Sequence, residues 1–214
     1  MKSLYIITAL AAFNFAAAQK TIALQKFKEV TFGSDSRVTM VRSHENKLVV
    51  QDSDDNDIEV KNEGKMLIIS GDSEYTLYYT DAIANIIVGS DSSVQGDDEI
   101  KTNEFKIIAA ADAVVQLNLN VQKLYTIAES DAVVTLTGKA TNHDAVLSAD
   151  AVLNSVNLVT KNTVIKLSSD AAATISANDL VTADVGSDGS LKIHGNPKSL
   201  VQSTGDDASV VVVK

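Results

Sequence analysis

The 214-residue sequence contains no cysteine and no tryptophan, a single proline and only two arginines. The lack of cysteine excludes a disulfide framework, a thiolate metal site, a thiol nucleophile and a lipid anchor on cysteine. The scarcity of arginine and the formal net charge of −10 argue against binding nucleic acid through its phosphates. Aromatic residues make up 5% of the chain, which disfavours a stacking platform for sugars or bases.

The first 18 residues have the pattern of a secretory signal peptide. Lys2 precedes an apolar stretch from Leu4 to Phe15, and the small residues Ala16, Ala17 and Ala18 follow. The pattern predicts cleavage before Gln19. The apolar stretch is shorter than the roughly 20 residues that a membrane-spanning helix needs. We therefore expect an exported protein without a membrane span after cleavage, located in the periplasm, on the outer surface or outside the cell.

A repeat of about 19 residues runs through most of the remaining chain. Its marker is an aspartate between small residues, as in Ala111-Asp112-Ala113. From the second marker onward the spacings are 21, 19, 19, 20, 18 and 19 residues. Asp72 fits the same spacing, and Asp55 is a weaker candidate. The markers are Asp35, Asp91, Asp112, Asp131, Asp150, Asp170, Asp188 and Asp207.

The segments on both sides of each marker predict β-strands. Apolar residues alternate with polar ones, as at Val115 and Leu117 after one marker and at Ile165 and Leu167 before another. A 19-residue unit cannot bury its own apolar face, so successive units must stack. The prediction is an all-β fold, a single-stranded parallel β-helix (solenoid) with rungs of about 19 residues. A lipocalin-like barrel or a β-sandwich would not explain the recurring corner.

The part of the chain before the regular repeats allows two interpretations. Residues 19–80 are expected to form irregular strands of the same domain, and residues 81–214 the regular rungs. Strands are predicted at 47–50, 57–60 and 65–70, with a hairpin turn at Asn62–Lys65. Degenerate rungs and an antiparallel cap over the end of the solenoid both fit, because an open end invites aggregation.

Several of these segments resemble the head GIN domain family, a family of exported Bacteroidetes-type proteins described as autotransporter adhesin head domains. The resemblance covers nearly all of the chain after the signal peptide. It implies a right-handed parallel β-helix, an exported protein and no established activity or catalytic residues. One difference is that Ser-Asp stands here where Gly-Ser-Gly is frequent in the family. The matching segments are FKEV (27–30), SRVTM (36–40), ENKLVV (45–50), GKMLII (64–69), VGSDGSLKIHGNP (185–197) and GDDASV (205–210).

The column of marker aspartates is the sharpest candidate site. Carboxylates about 5 Å apart on successive rungs repel one another, by roughly 1 kcal/mol per pair at water-like screening, so something must offset the repulsion. We favour a structural role, in which each aspartate accepts backbone N–H groups in an Asx turn. The alternative is a Ca²⁺ ladder, since Ca²⁺ binds several oxygens. The calcium candidates are Asp91, Asp112, Asp131, Asp150, Asp170, Asp188 and Asp207, and no other cofactor is expected.

A second repeated feature is apolar. Valines lie two residues after the markers, and isoleucines or valines four residues before them. If these side chains point outward, they form a stripe that could bind a partner. If the corners reset the alternation, some of them are buried, and the sequence does not decide between the two. The candidate stripe consists of Val114, Val133, Val152, Ile108, Ile127 and Val146.

Catalytic patterns are sparse in this sequence. His44, His143 and His194 occupy different repeat positions, so each is expected on the surface or in a loop. The main hypothesis is a non-enzymatic structural or adhesion-type module at the cell envelope that binds an unidentified protein or polysaccharide and could form homo-oligomers. One alternative is a polysaccharide lyase or glycosidase on a β-helix, which would need a groove with aromatic and basic residues, whereas Tyr75, Tyr78 and Tyr79 cluster outside the best repeats and arginine is scarce. Another is a Ca²⁺-stabilised scaffold.

Overall fold

The chain forms an all-β parallel solenoid in a computed structural model that describes residues 19–51 and 58–213. The predicted signal peptide and Asp55 lie outside the described residues. The strands are β1 (Lys20–Ala23), β2 (Glu29–Phe32), β3 (Arg37–Arg42), β4 (Lys47–Val50), β5 (Glu59–Glu63), β6 (Met66–Ser70), β7 (Glu74–Tyr79), β8 (Asn85–Val88), β9 (Ser93–Ala109), β10 (Val114–Glu129), β11 (Val133–Ser148), β12 (Val152–Ser168), β13 (Ala172–Val185), β14 (Ser190–Gly195), β15 (Ser199–Thr204) and β16 (Ser209–Val212).

The regular rungs stack in parallel, as the repeat predicts. Strands β9 to β13 each run from one aspartate corner to the next and pair side by side in parallel, with a register shift inside three of the four pairs and matching positions on either side of it. Val115, for example, lies between Val94 and Val134. The register places equivalent repeat positions above one another, so each position of the repeat becomes a ladder along the solenoid.

The first two rungs stack in an order that differs from their order in the chain. Strand β2 lies between β6 and β8, and β3 lies between β7 and β9. The backbone N–H of Asp35 therefore donates to the carbonyl of Ser90 at 3.1 Å. Asp72 fits the spacing along the chain, but its rung lies beside that of Asp35 and not beside that of Asp91. The spacing between corners in the sequence does not specify on which side of an existing rung the next rung is added.

Antiparallel strands cover the end of the solenoid that the early segments form. Strand β1 pairs with β4 and β4 with β7, while β5 pairs with β6 through the predicted hairpin turn at Gly64. Residues 66–79 therefore form a rung, whereas 47–50 and 59–63 belong to the cap. The early region therefore contains both a rung and an antiparallel cap, the two structures that fit its sequence.

The core is a column of inward-facing aliphatic side chains. One ladder contains Val94, Val115, Val134, Leu153 and Ala173, all nearly or fully buried. Burying a valine or leucine contributes roughly 1.5–3 kcal/mol relative to leaving it exposed. At the corners the inward position is a small residue, because the tight turn leaves little space. In the part of the chain that the structure describes, no helix is long and apolar enough to cross a membrane.

Candidate functional site

The aspartate corners are held by an unusual backbone conformation. All eight markers have φ between 56° and 65°, the left-handed region, which aspartate tolerates better than most residues. The N–H of Asp112 donates to the carbonyl of Ser130, and that of Asp131 to the carbonyl of Ala149, both at 2.9 Å. Each corner is thereby joined to the next by backbone hydrogen bonds.

The marker carboxylates face solvent. The hydrogen bonds expected of an Asx turn are not made, since within 19–51 and 58–213 these carboxylates accept no hydrogen bond. The aspartates therefore shape the corner through their backbone. No group of three or more His, Asp or Glu side chains among the described residues is placed to hold a metal ion. The Ca²⁺ ladder stays the less favoured alternative to a structural role of the column.

The strand segments that follow five neighbouring corners form a sheet surface without charge at their first two outward positions. Two outward ladders run side by side on it, one two residues and the other four residues after each marker. Every one of these side chains is exposed or half-buried. We call this surface the uncharged face, and it consists of Ser93, Val114, Val133, Val152 and Ala172 together with Gln95, Gln116, Thr135, Asn154 and Thr174.

The uncharged face is geometrically regular. Its rungs are about 4.8 Å apart, and outward residues on one strand are about 7 Å apart. Hydroxyl or amide groups lie beside methyl groups on four of the five rungs, and the first rung carries only the polar Ser93 and Gln95. The face ends where charged residues enter the same ladders, at Arg37 on one side and Lys192 on the other. Both ends form shallow grooves, one lined by Arg37, Glu74 and Gln95 and the other by Asn154, Thr174 and Lys192.

The strand segments that precede the corners form a surface that carries charged as well as apolar side chains. Ile108, Ile127 and Val146 form an outward ladder there, beside a ladder that contains Lys106, Tyr125 and Asp144. Ion pairs cross between neighbouring rungs, Lys123 with Glu104 at 3.0 Å and Lys166 with Asp184 at 3.8 Å. We call this surface the mixed face.

The six residues of the predicted apolar stripe are therefore divided between two faces. Val114, Val133 and Val152 lie on the uncharged face, and the other three lie on the mixed face. Val114 is 46% exposed and Val146 47%. The corner turn separates the two ladders, so the six side chains do not form one continuous surface. The sequence left open whether the stripe is exposed, and the structure places all six outside the core.

The position of His143 contradicts the expectation of a surface or loop histidine. Its ring is fully buried in the solenoid, on an inward ladder between Leu124 and Thr163. Nε2 lies 3.0 Å from the hydroxyl of Thr126, whereas Nδ1 has no hydrogen-bond partner among the described residues. Burial lowers the pKa of His143 to about 4. Counting the repeat from Leu124 would have placed this residue inside.

The tyrosine cluster does not form an open site. Tyr75 and Tyr79 are buried, and burial raises the pKa of both. The ring of Tyr78 lies outside, with the ammonium of Lys47 at 4.8 Å from its centre. Nearby, Arg37 bonds to Asp72 at 3.1 Å and approaches Glu74 at 3.9 Å, so one arginine partly compensates the charge of two carboxylates.

Comparison with known proteins gives one family. A family model described as "Putative auto-transporter adhesin, head GIN domain" matches residues 26–197. No curated protein sequence matches the chain.

Several crystal structures have the same fold. A "putative adhesin" from Bacteroides fragilis has a TM-score of 0.85 at 18% identity, over 91% of this chain and 96% of that one. A "putative adhesin" from Parabacteroides merdae has a TM-score of 0.74 at 15% identity, over 92% and 96%. A "putative lipid binding protein" from Parabacteroides distasonis has a TM-score of 0.69 at 13% identity, over 92% and 96%. At these identities the similarity shows the fold alone.

Proposed function

The chain belongs to the head GIN domain family, and we propose that it is an exported, non-enzymatic adhesion module that binds its partner through the uncharged face. The observation that carries the proposal is the chemistry of that face. In a protein with 21% charged residues, ten outward positions on five neighbouring rungs carry no charge. A flat surface of methyl, hydroxyl and amide groups suits an uncharged protein or polysaccharide surface of the cell envelope.

The family and the sequence together support export. Family members are described as adhesins, which act outside the cytoplasm, and the first 18 residues have the pattern of a signal peptide. We expect the protein in the exported fraction, with Gln19 as its first residue by N-terminal sequencing. Recovery from the cytoplasm with Met1 retained would contradict this part of the proposal.

The face is tested by placing a charge at its centre. Val133→Lys puts an ammonium where the partner would have to desolvate it, so binding to isolated cell envelopes or to an insoluble neutral polysaccharide should fall about tenfold or more. The matched control is Val146→Lys, which makes the same change on the mixed face and should bind like the unaltered protein. Sedimentation of the protein with each material measures binding.

Two further outcomes would contradict the proposal. Binding through an uncharged face should change little between low and high salt, because no charge pairs are screened. A steep loss of binding with salt, or equal losses in the two variants, would place the contact elsewhere. Binding to lipid vesicles in preference to envelope polymers would assign the protein to a lipid-binding role instead.

A further inference from the structure

The end of the solenoid formed by β15 and β16 is uncovered in the described chain. Among the described residues, β15 pairs only with β13, and β16 only with β14. The N–H groups of Ser209 and Val213 donate to carbonyls of the preceding rung, both at 2.8 Å. Because N–H groups alternate in direction along a strand, those of Val210 and Val212 point to the free edge. At the opposite end, the antiparallel strands β1, β4 and β5 provide a cap.

The free edge is also apolar. Val210 and Val212 continue the core ladders over Leu191 and Ile193, which are fully buried. Val212 itself is 40% exposed. Its neighbours Val211 and Val213 are exposed as well. An exposed hydrophobic edge strand is a template for pairing with another strand, and β16 contains no lysine, proline or bulge that would block it.

The charge distribution favours a second copy of the chain as the occupant of this end. Between Ser199 and Val213 the only charged residues are Asp206 and Asp207, both at the corner, so the two strands are uncharged. Identical strands paired antiparallel about a two-fold axis bring no like charges together. End-to-end contact also keeps the acidic bodies of two such chains as far apart as their length allows.

We propose that the β15–β16 end binds a second copy of this chain about a two-fold axis, with β16 pairing antiparallel with the same strand of the other copy. The contact would cover Val210 and Val212 and satisfy the free N–H groups of the edge. The dimer would present two uncharged faces on one longer rod. Two linked faces would bind a repetitive surface more tightly than one.

The oligomeric state tests the proposal. The chain from Gln19 onward contains the described core and is measured by sedimentation equilibrium, from about 5 to about 200 µM. One variant, Val212→Lys, places a charge on the end of the core, from which the long side chain reaches water. A second, Val212→Pro, adds no charge and removes the N–H that points to the free edge, which makes no hydrogen bond within the described part of the fold. The control is Val152→Lys, since Val152 is 38% exposed in the middle of the uncharged face.

We expect the unaltered chain and Val152→Lys to form dimers, and both Val212 variants to dimerise at least tenfold more weakly with the same circular dichroism spectrum. A monomer at every concentration, equal dimerisation of all four proteins, or growth beyond dimers would overturn the proposal. Val212→Pro still decides the question if Val212→Lys fails to fold. Failure of the dimer is distinguishable from failure of the proposed function, because Val152→Lys should weaken partner binding and leave dimerisation unchanged.

Discussion

At the scale of single residues, the buried His143 makes the free energy of unfolding depend on pH. The folded protein keeps its ring neutral because burial excludes the water that would stabilise the imidazolium. An unfolded chain has no such restriction and binds a proton below pH 6.5. Between pH 6.5 and 4 the unfolded state therefore holds more protons than the folded state, and stability falls as the pH falls.

The first prediction follows from this difference. Relative to His143→Leu, which cannot titrate, the unaltered protein should lose about 3 kcal/mol of unfolding free energy between pH 7 and pH 4. Urea unfolding at a series of pH values measures this difference between the two proteins. His44→Gln is the control, since His44 is exposed. A pH profile of His143→Leu parallel to that of the unaltered protein would show that the pKa of His143 is the same in the folded and unfolded states.

A second prediction concerns the corner aspartates. Asp131 has a φ of 65°, a conformation that costs most L-residues roughly 1–2 kcal/mol. Asp131→Ala should lower the unfolding free energy by about 1 kcal/mol, whereas Asp131→Asn should leave it unchanged or raise it slightly, because asparagine tolerates this φ and removes a charge from the column. Chemical denaturation of the two variants decides the matter. Equal losses would show that the carboxylate itself holds the corner.

At the scale of elements, the long strands bend between corners. In β11 the bend lies at Gly138, which has a φ of 99°. A Cβ atom there would lie 2.1 Å from the carbonyl oxygen of Leu119 on the neighbouring strand. The register between β11 and β12 also shifts nearby, between Thr135 and Thr137. This glycine therefore sets where the rung turns and how closely it approaches its neighbour.

The third prediction compares two glycines. Gly138→Ala should destabilise the fold by more than about 2 kcal/mol, because both the φ and the backbone contact forbid a side chain. Gly64→Ala is the matched control, since Gly64 also has a positive φ, 60°, but open space around the position of a Cβ atom. It should cost about 1 kcal/mol. Thermal unfolding midpoints of the two variants that coincide would contradict this account of the bend.

At the scale of the whole molecule, the column of carboxylates runs along the corners of the rod. A metal ladder would link successive rungs, so calcium would stabilise the molecule as a unit. Each rung supplies one marker carboxylate, whereas Ca²⁺ binds six to eight oxygens, so the column offers too few oxygen ligands at any one point. We therefore expect the melting temperature to be the same in millimolar Ca²⁺ and in chelator. Melting followed by circular dichroism checks this fourth prediction. A rise of several degrees with calcium would make the column a metal site.

The sequence alone could predict those features that local chemistry repeats in every rung. The 19-residue spacing, the recurring corners at residues such as Asp112 and the inward and outward alternation around Val115 all follow from local chemistry within a few residues, whereas the left-handed φ of the corners was found only in the structure. Stacking then follows, because so short a unit cannot bury its own apolar side chains. The sequence indicated part of the uncharged face through the repeated valines. How far the face extends depends on which residues the strand register places beside those valines.

The tertiary structure alone decided which segments become neighbours. The strand of Thr31 lies between two strands that come later in the chain, and loop closure costs nearly the same free energy for either order. The burial of His143 and the division of the stripe between Val114 and Val146 depend on where each rung bends. The uncovered edge at Val212 depends on which strands find partners. These are contacts between residues far apart in sequence, and no local pattern specifies them.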